Sequence, residues 1–285
     1  MCERLIIVGN GFDLHHHMKT SYIDYRNYLI KSGKKNVVDI FEKYSEEHDK
    51  NWMWNSLETN LAFLNFEGAY PLLTEYENEE WSDSSNHDFQ YEILNLTTYW
   101  PEIKVRLKDW ICQIKYGTPD KKLVNIINNQ SYFLSFNYTN TLENLYNINS
   151  ERICYIHGNA QQEDELILGH NENDWVPEWE INEDCDIRLI EASTIMNKHL
   201  EKTKKPVDKI INKNKKFLSS NFDSIYVIGL SYNEIDKIYL NHISQTNPNA
   251  EWNFYYYSQK DKDDIAYYAK SINAKNYSIT KFEDM

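Results

Sequence analysis

This 285-residue sequence predicts an α/β fold, a doubly wound, Rossmann-like and mostly parallel sheet carrying a helical insertion. Three observations predict it. Short apolar runs recur along the chain, helical patterns separate them, and the first run ends in a Gly-Asn-Gly turn that leads into a helix. Continuous apolar runs, rather than alternating ones, mark strands buried on both faces, and intervening helices supply the cover on each side.

Arg4–Gly9 reads as a buried strand entering a tight turn, and Tyr22–Leu29 has helical spacing. From 35 to 117 the pattern is mainly helical. Trp54, Leu57, Leu61 and Leu64 recur at helical intervals, as do Ile103, Leu107, Trp110, Ile111 and Ile114. Pro101 suits a first helical position, Gly117 a C-terminal cap, and Pro119 blocks continuation. The acidic, aromatic stretch Glu75–Phe89 reads as a surface loop. Strands are then expected at Tyr132–Phe136, Ile153–His157, Leu166–His170, Ile225–Leu230, Trp252–Tyr257 and Tyr277–Phe282. Helices are expected at Thr141–Tyr146, between Ile187 and Leu218, at Glu234–Ser244 and at Asp261–Ser271, with Asn171–Asp186 irregular. The expected organisation is a core over 1–34 and 118–285, interrupted by an insertion over 35–117.

Composition excludes several classes. The formal net charge is −14, and the dense basic patches, Lys202–Lys205 and Lys213–Lys216, fit solvated helix sides; nucleic acid is not the expected partner. No apolar run has the length of a membrane span or a signal peptide, so a cytoplasmic protein with no membrane partner is expected. Cys2, Cys112, Cys154 and Cys185 form no CxxC pair, and adjacent residues in His15-His16-His17 do not converge on one ion; no metal site is expected. An acidic protein that holds a phosphorylated ligand has to use backbone amides.

In a parallel sheet, ligands sit beyond the carboxyl ends of the strands, near the point where strand order reverses. Five strand ends here carry small or hydrogen-bonding residues: Gly9-Asn10-Gly11-Phe12-Asp13, Asn137-Tyr138-Thr139, His157-Gly158, Gly169-His170-Asn171 and Gly229-Leu230-Ser231. Gly9 and Gly11 would let backbone approach a pyrophosphate at the start of the next helix. Leu14 stands where a dehydrogenase fingerprint has its third glycine, and no ribose-binding acid ends a second strand about 20 residues on, which disfavours hydride transfer. Asn137 can orient a ribose hydroxyl or a water, and His157 has a side chain suited to proton transfer near neutral pH; local hydrogen bonding is the competing role for both. Asp13 can bind ligand or cap its helix, and Glu58 can reach the site or sit on a solvated face.

The string Leu5-Ile6-Ile7-Val8-Gly9-Asn10-Gly11-Phe12-Asp13-Leu14, with Lys19-Thr20-Ser21-Tyr22, resembles the phage abortive-infection family AbiH. So do Trp54-Asn55-Ser56-Leu57-Glu58, Leu134-Ser135-Phe136-Asn137-Tyr138-Thr139, Ile156-His157-Gly158, Ile167-Leu168-Gly169-His170 and Ile228-Gly229-Leu230-Ser231-Tyr232. The resemblance implies a role in defence against phage. More distantly, the same blocks look like the sirtuin superfamily. There a glycine loop, an asparagine after a strand and a His-Gly pair bind NAD⁺ and cleave its nicotinamide bond. That likeness implies Asn137 and His157 as catalytic residues. It implies Gly9, Asn10, Gly11, Phe12, Asp13, His170, Gly229 and Ser231 as nucleotide contacts. The zinc-binding cysteine pairs are absent, and Thr139 replaces the acid of an Asn-x-Asp. These departures imply NAD⁺ hydrolysis rather than deacylation, with NAD⁺ or a related nucleotide as substrate and no prosthetic group. A nucleotide sensor without chemistry and a nucleic-acid-cleaving toxin are the rival readings. A constitutive NAD⁺ hydrolase kills its cell, so a homo-oligomer or a separate sensor protein is expected as the gate, with contacts around Trp52–Trp81 and Trp175–Trp179.

Overall fold

The computed structural model describes residues 3–45, 49–62, 91, 94–95, 97–171, 187–232 and 234–284. The expected loop over 75–89, the acidic stretch over 172–186, Cys2, Cys185, Trp81, Trp175 and Trp179 lie outside them.

The chain forms two compact units. The first comprises Met1–Ser21, Ile111–Ile167 and Pro206–Met285. It contains a six-stranded sheet made of β1 (Arg4–Val8), β2 (Tyr132–Ser135), β3 (Ile153–Tyr155), β4 (Ser224–Ile228), β5 (Glu251–Tyr256) and β6 (Asn276–Lys281). The spatial order is β3-β2-β1-β4-β5-β6 and every pair is parallel. This is the strand order of a Rossmann-type doubly wound sheet, and its direction of winding reverses between β1 and β4.

Residue alternation along β1 explains the two-sided cover. Leu5 and Ile7 join one core cluster, with Leu134, Ile225 and Val227 from the neighbouring strands and Tyr239, Leu240, Ile265 and Tyr268 from helices. Ile6 and Val8 join the other, with Phe133, Phe12, Leu123, Leu142 and Tyr146. Leu5, Ile6, Ile7 and Val8 are all at most 1% exposed, which is why this strand shows no polar alternation in sequence. The helix Gln259–Ser271 starts on a reciprocal capping box between Ser258 and Asp261.

The second unit comprises Tyr22–Trp110 and Leu168–Lys205. Its interior is aromatic. Trp54 packs against Phe41 at 5.1 Å and Tyr25 at 6.4 Å, and Tyr25 lies 5.0 Å from Trp110. The Trp54 indole N–H donates to Glu42 at 3.0 Å, while Arg26 and Lys50 each pair with the same carboxylate at 2.5 Å. These contacts satisfy the polar edge of the aromatic cluster, and together they hold Glu42 below the usual carboxylate range against the opposing effect of burial. Trp52, two residues from the buried Trp54, is 51% exposed.

Three local expectations fail. Leu166–His170 is not a strand of the sheet. Its end makes one isolated bridge, His170 to Lys204, because the His170 N–H and C=O pair with Thr203 and Lys205 after the helix Ile187–Thr203. Gly117 is not a helix cap, since the helix Tyr99–Ile111 ends six residues earlier. A Cβ at Gly117 would run into the His16 carbonyl, so glycine is needed for backbone approach. Pro101 sits at the third position of that helix, still within the first turn, where its missing N–H costs no bond. Among the described residues, no helix is long and apolar enough to cross a membrane.

Candidate functional site

Parallel register brings four of the polar strand ends to one edge of the sheet. Val8 pairs with Ser135 on one side and Ile228 on the other, and Ser135 pairs with Tyr155. The segments that follow, Gly9–Asp13, Asn137–Thr139, His157–Gly158 and Gly229–Ser231, therefore all leave the same carboxyl edge. The fifth, ending at His170, belongs to the second unit.

The glycine turn is occupied by protein. The Gly9 N–H donates to the Ile228 carbonyl at 3.1 Å, Gly11 N–H to Gly229 O at 2.8 Å, and Phe12 N–H to Gly9 O at 2.9 Å. A Cβ on Gly9 would stand 2.7 Å from Gly229 O, and one on Gly11 2.8 Å from Gly229 Cα. Gly229 itself has φ +65°, the left-handed region that favours glycine. The close approach these glycines permit is thus between the β1 and β4 loops, and the Gly9, Gly11 and Phe12 amides are engaged within the protein. Phe12 is fully buried between His16 and Tyr146, whereas Asn10 and Ser231 are exposed.

Asp13 lies in the short helix Asn10–His15 but does not cap it; Gly9 holds the cap position and no side chain bonds there. Its carboxylate is buried, and the Thr139 hydroxyl donates to Oδ2 at 2.6 Å. Thr141 Oγ1 is 2.9 Å from Thr139 Oγ1. Thr139 gives its only proton to Asp13, so towards Thr141 it can only accept, and Thr141 Oγ1 also lies 3.6 Å from Met18 Sδ. Asn137 is buried too, with Nδ2 donating to Gly9 O at 3.0 Å and its backbone N–H to Ser135 Oγ at 3.2 Å. Asp13 Oδ1 and Asn137 Oδ1 have no hydrogen-bond partner among the described residues. Burial pushes the Asp13 carboxyl up to about 6, with Thr139, Thr141 and Asn137 pulling the other way.

His157 is buried in an aromatic surround of Phe136, Tyr239 and Tyr138, with ring centroids 5.6, 5.8 and 6.3 Å away. Its Nε2 lies 3.6 Å from Asp236 Oδ1, on the helix Glu234–Thr246. Gly158 follows with φ +86°, and a Cβ there would meet Glu165 O at 2.7 Å, which accounts for the His-Gly pair. His170 is held within the second unit, with Nε2 3.2 Å from Leu200 O and 3.1 Å from Thr203 Oγ1. Burial lowers it to about 4, so the ring is neutral at pH 7. Glu58 pairs with the buried Lys205 at 3.2 Å, also in the second unit.

The three consecutive histidines go separate ways. His15 Nε2 bonds Asp120 at 2.7 Å. His16 bonds Phe12 O through Nδ1 at 2.7 Å and Tyr146 through Nε2 at 2.6 Å, and His17 has φ +57°. Sequence reasoning named Thr139 only as a strand-end residue standing in place of an acid, gave Thr141 no role at the site, and missed Asp236. The two threonines follow Asn137 on the same strand end and were open to notice; Asp236 sits in a first helical turn, where an acid ordinarily complements the helix dipole.

An all-parallel sheet in this order, with buried polar side chains gathered where the winding reverses, defines a Rossmann-type α/β protein with a candidate small-ligand site. The chain belongs to the bacteriophage abortive infection family AbiH, whose description matches residues 5–256. Its setting is therefore phage defence by abortive infection, and the match spans every site residue named above. No curated protein matches the sequence.

Proposed function

We propose that this AbiH protein hydrolyses the nicotinamide–ribose bond of NAD⁺ or a closely related nucleotide during abortive infection. The observation that carries the reading is the buried pair Asp13 and Asn137 at the winding reversal, each with one oxygen unpartnered by the described residues. Nicotinamide leaves as a neutral ring, so the reaction needs no general acid. It needs stabilisation of a cationic ribose and a water held against the exposed carbon. An ionised Asp13 opposes the positive charge, Asn137 fixes geometry, and His157, paired with Asp236, takes the proton from water. Thr139 stands where the resemblance has an acid, and the carboxylate comes instead from Asp13, which that threonine bonds.

The test is nicotinamide release by purified protein given NAD⁺. Wild type should release it; His157→Ala should lose ~10²–10⁴ in rate, the usual worth of a general base. Asn137→Ala should be inactive with its fold retained. Wild-type turnover in either variant removes that residue from the mechanism, and no release under any condition removes the reading. We propose further that self-association or a separate sensor protein gates turnover in the cytoplasm. Full turnover by a dilute monomer, with toxicity whenever the chain is expressed alone, would overturn the gating.

A further inference from the structure

We infer that Asp13 Oδ1 and Asn137 Oδ1 form an acceptor pair for the two vicinal hydroxyls of a ribose, so that the site selects ribonucleotides over their deoxy counterparts. The inference rests on the nucleotide reading above and names the part of the substrate that Asp13 and Asn137 recognise.

Proton bookkeeping leads to it. A carboxylate only accepts hydrogen bonds, and a carboxamide oxygen only accepts. The orientation of Asn137 is fixed, because Gly9 O can only accept and therefore demands the Nδ2 side of the amide at 3.0 Å. The free atom must then be the oxygen. Asp13 Oδ2 already takes the single Thr139 proton at 2.6 Å. Asn137 Nδ2 keeps a second N–H, and Asn137 and Thr141 both lie close enough to Asp13 to pull its carboxyl down, yet Asp13 Oδ1 has no hydrogen-bond partner among the described residues. Two buried acceptors remain with no donor among the described residues. Leaving such an acceptor unmet costs about 1–3 kcal/mol, more when it is charged.

A ligand that answers this pair has to bring donors. Phosphate and carboxylate groups bring none at neutral pH, and Asp13 repels them. A metal ion asks for more ligating groups, and among the described residues no cluster of three or more His, Cys, Asp and Glu could hold one. A vicinal diol supplies two donors side by side, and Asp13 also favours the charge that develops on a ribose losing a cationic base. Recognition therefore goes through the sugar edge, which fits a glycine turn whose Gly9, Gly11 and Phe12 amides are engaged within the protein.

Calorimetry with a carbocyclic NAD⁺ analogue that cannot be hydrolysed, compared with the same analogue lacking its two vicinal hydroxyls, tests this on the full chain. Wild type should bind the diol form about 10- to 100-fold more tightly, as for hydrogen bonds to a charged group. Asp13→Asn and Asn137→Ala should each reduce that preference to a few-fold. Equal binding of both forms by wild type, as expected if water alone meets the two oxygens, overturns the acceptor pair. If NAD⁺ is still hydrolysed in that case, the proposed reaction survives without it. A diol preference without NAD⁺ hydrolysis leaves the pair standing and removes the reaction. Binding of neither form, with no hydrolysis, removes both.

Discussion

The Gly11 N–H donates to the Gly229 carbonyl at 2.8 Å, joining the turn after β1 to the turn after β4 across 218 residues of sequence. Each glycine exists because of the other. A side chain on Gly11 would meet Gly229 backbone, and one on Gly229 would run into the Gly11–Phe12 peptide while also demanding φ +65°. Gly229→Ala should therefore lower stability by about 2 kcal/mol or more, since left-handed backbone costs roughly 1–2 kcal/mol before any clash. Gly33 is the internal control. It has φ +78° but open space around its Cβ position, so Gly33→Asn should cost about 1 kcal/mol or less. Denaturant melts of both variants check this, and equal costs would mean that the close approach carries no energy.

Much of this fold was legible in the sequence, for physical reasons. The buried strands were legible because side chains like Leu5–Val8 must be apolar on both faces, and six expected strands fall within about two residues of those observed. Strand order was not, because nothing local records that β4, rather than β2 alone, pairs with β1. Leu166–His170 misled because its apolar run serves packing without entering a ladder. Gly9 and Gly11 were seen as special, but whether backbone or ligand fills the space beside a glycine has no sequence signal. Asp13 was read as a ligand contact or a cap; it makes no cap, and the threonine that bonds it lies 126 residues away.

His157 and Asp236 are both buried, 3.6 Å apart. An acid at that distance steadies an imidazole and favours its protonated form as it accepts a proton. Asp236→Asn should lower kcat for nicotinamide release by tenfold or more and leave KM within about threefold. An unchanged kcat, or a loss of kcat matched by a loss of thermal stability, would assign Asp236 a packing role only.

In the second unit the buried Lys205 ammonium stands 3.2 Å from Glu58, whose side chain is 13% exposed. Removing one member of such a pair takes from the other its counter-ion at 3.2 Å, at a cost of about 3 kcal/mol. Lys205→Met should lose about that much in a urea melt. Adding Glu58→Leu should restore part of the loss, because no charge then remains to be solvated. A double variant as unstable as the sum of the singles would show that the two side chains act independently.

Asp13 makes stability fall as pH rises. Its carboxyl stands at about 6 in the folded chain against an ordinary value of 3.8, with burial the main cause. The folded state therefore binds the proton more tightly, and between those two values it holds more protons than the unfolded state. The stabilisation is complete below about pH 4 and is lost as pH climbs through 6. A carboxyl held that far above its ordinary value corresponds to roughly 3 kcal/mol. His16 acts in the opposite sense, since burial lowers its pKa and its contribution is lost on acidification. The absolute pH profile mixes the two, so the informative quantity is the difference between wild type and Asp13→Asn, where His16 cancels. That difference should be small at pH 4, should grow in favour of the variant up to pH 7 and then level off. The variant gains because a neutral amide needs no compensation for a buried charge. Urea melts at pH 4, 5, 6, 7 and 8 measure it. The same variant should bind the diol-bearing nucleotide analogue more weakly, so one substitution raises stability while it removes recognition. A difference that is flat with pH would mean that Asp13 has an ordinary carboxyl and that its burial is incomplete in solution.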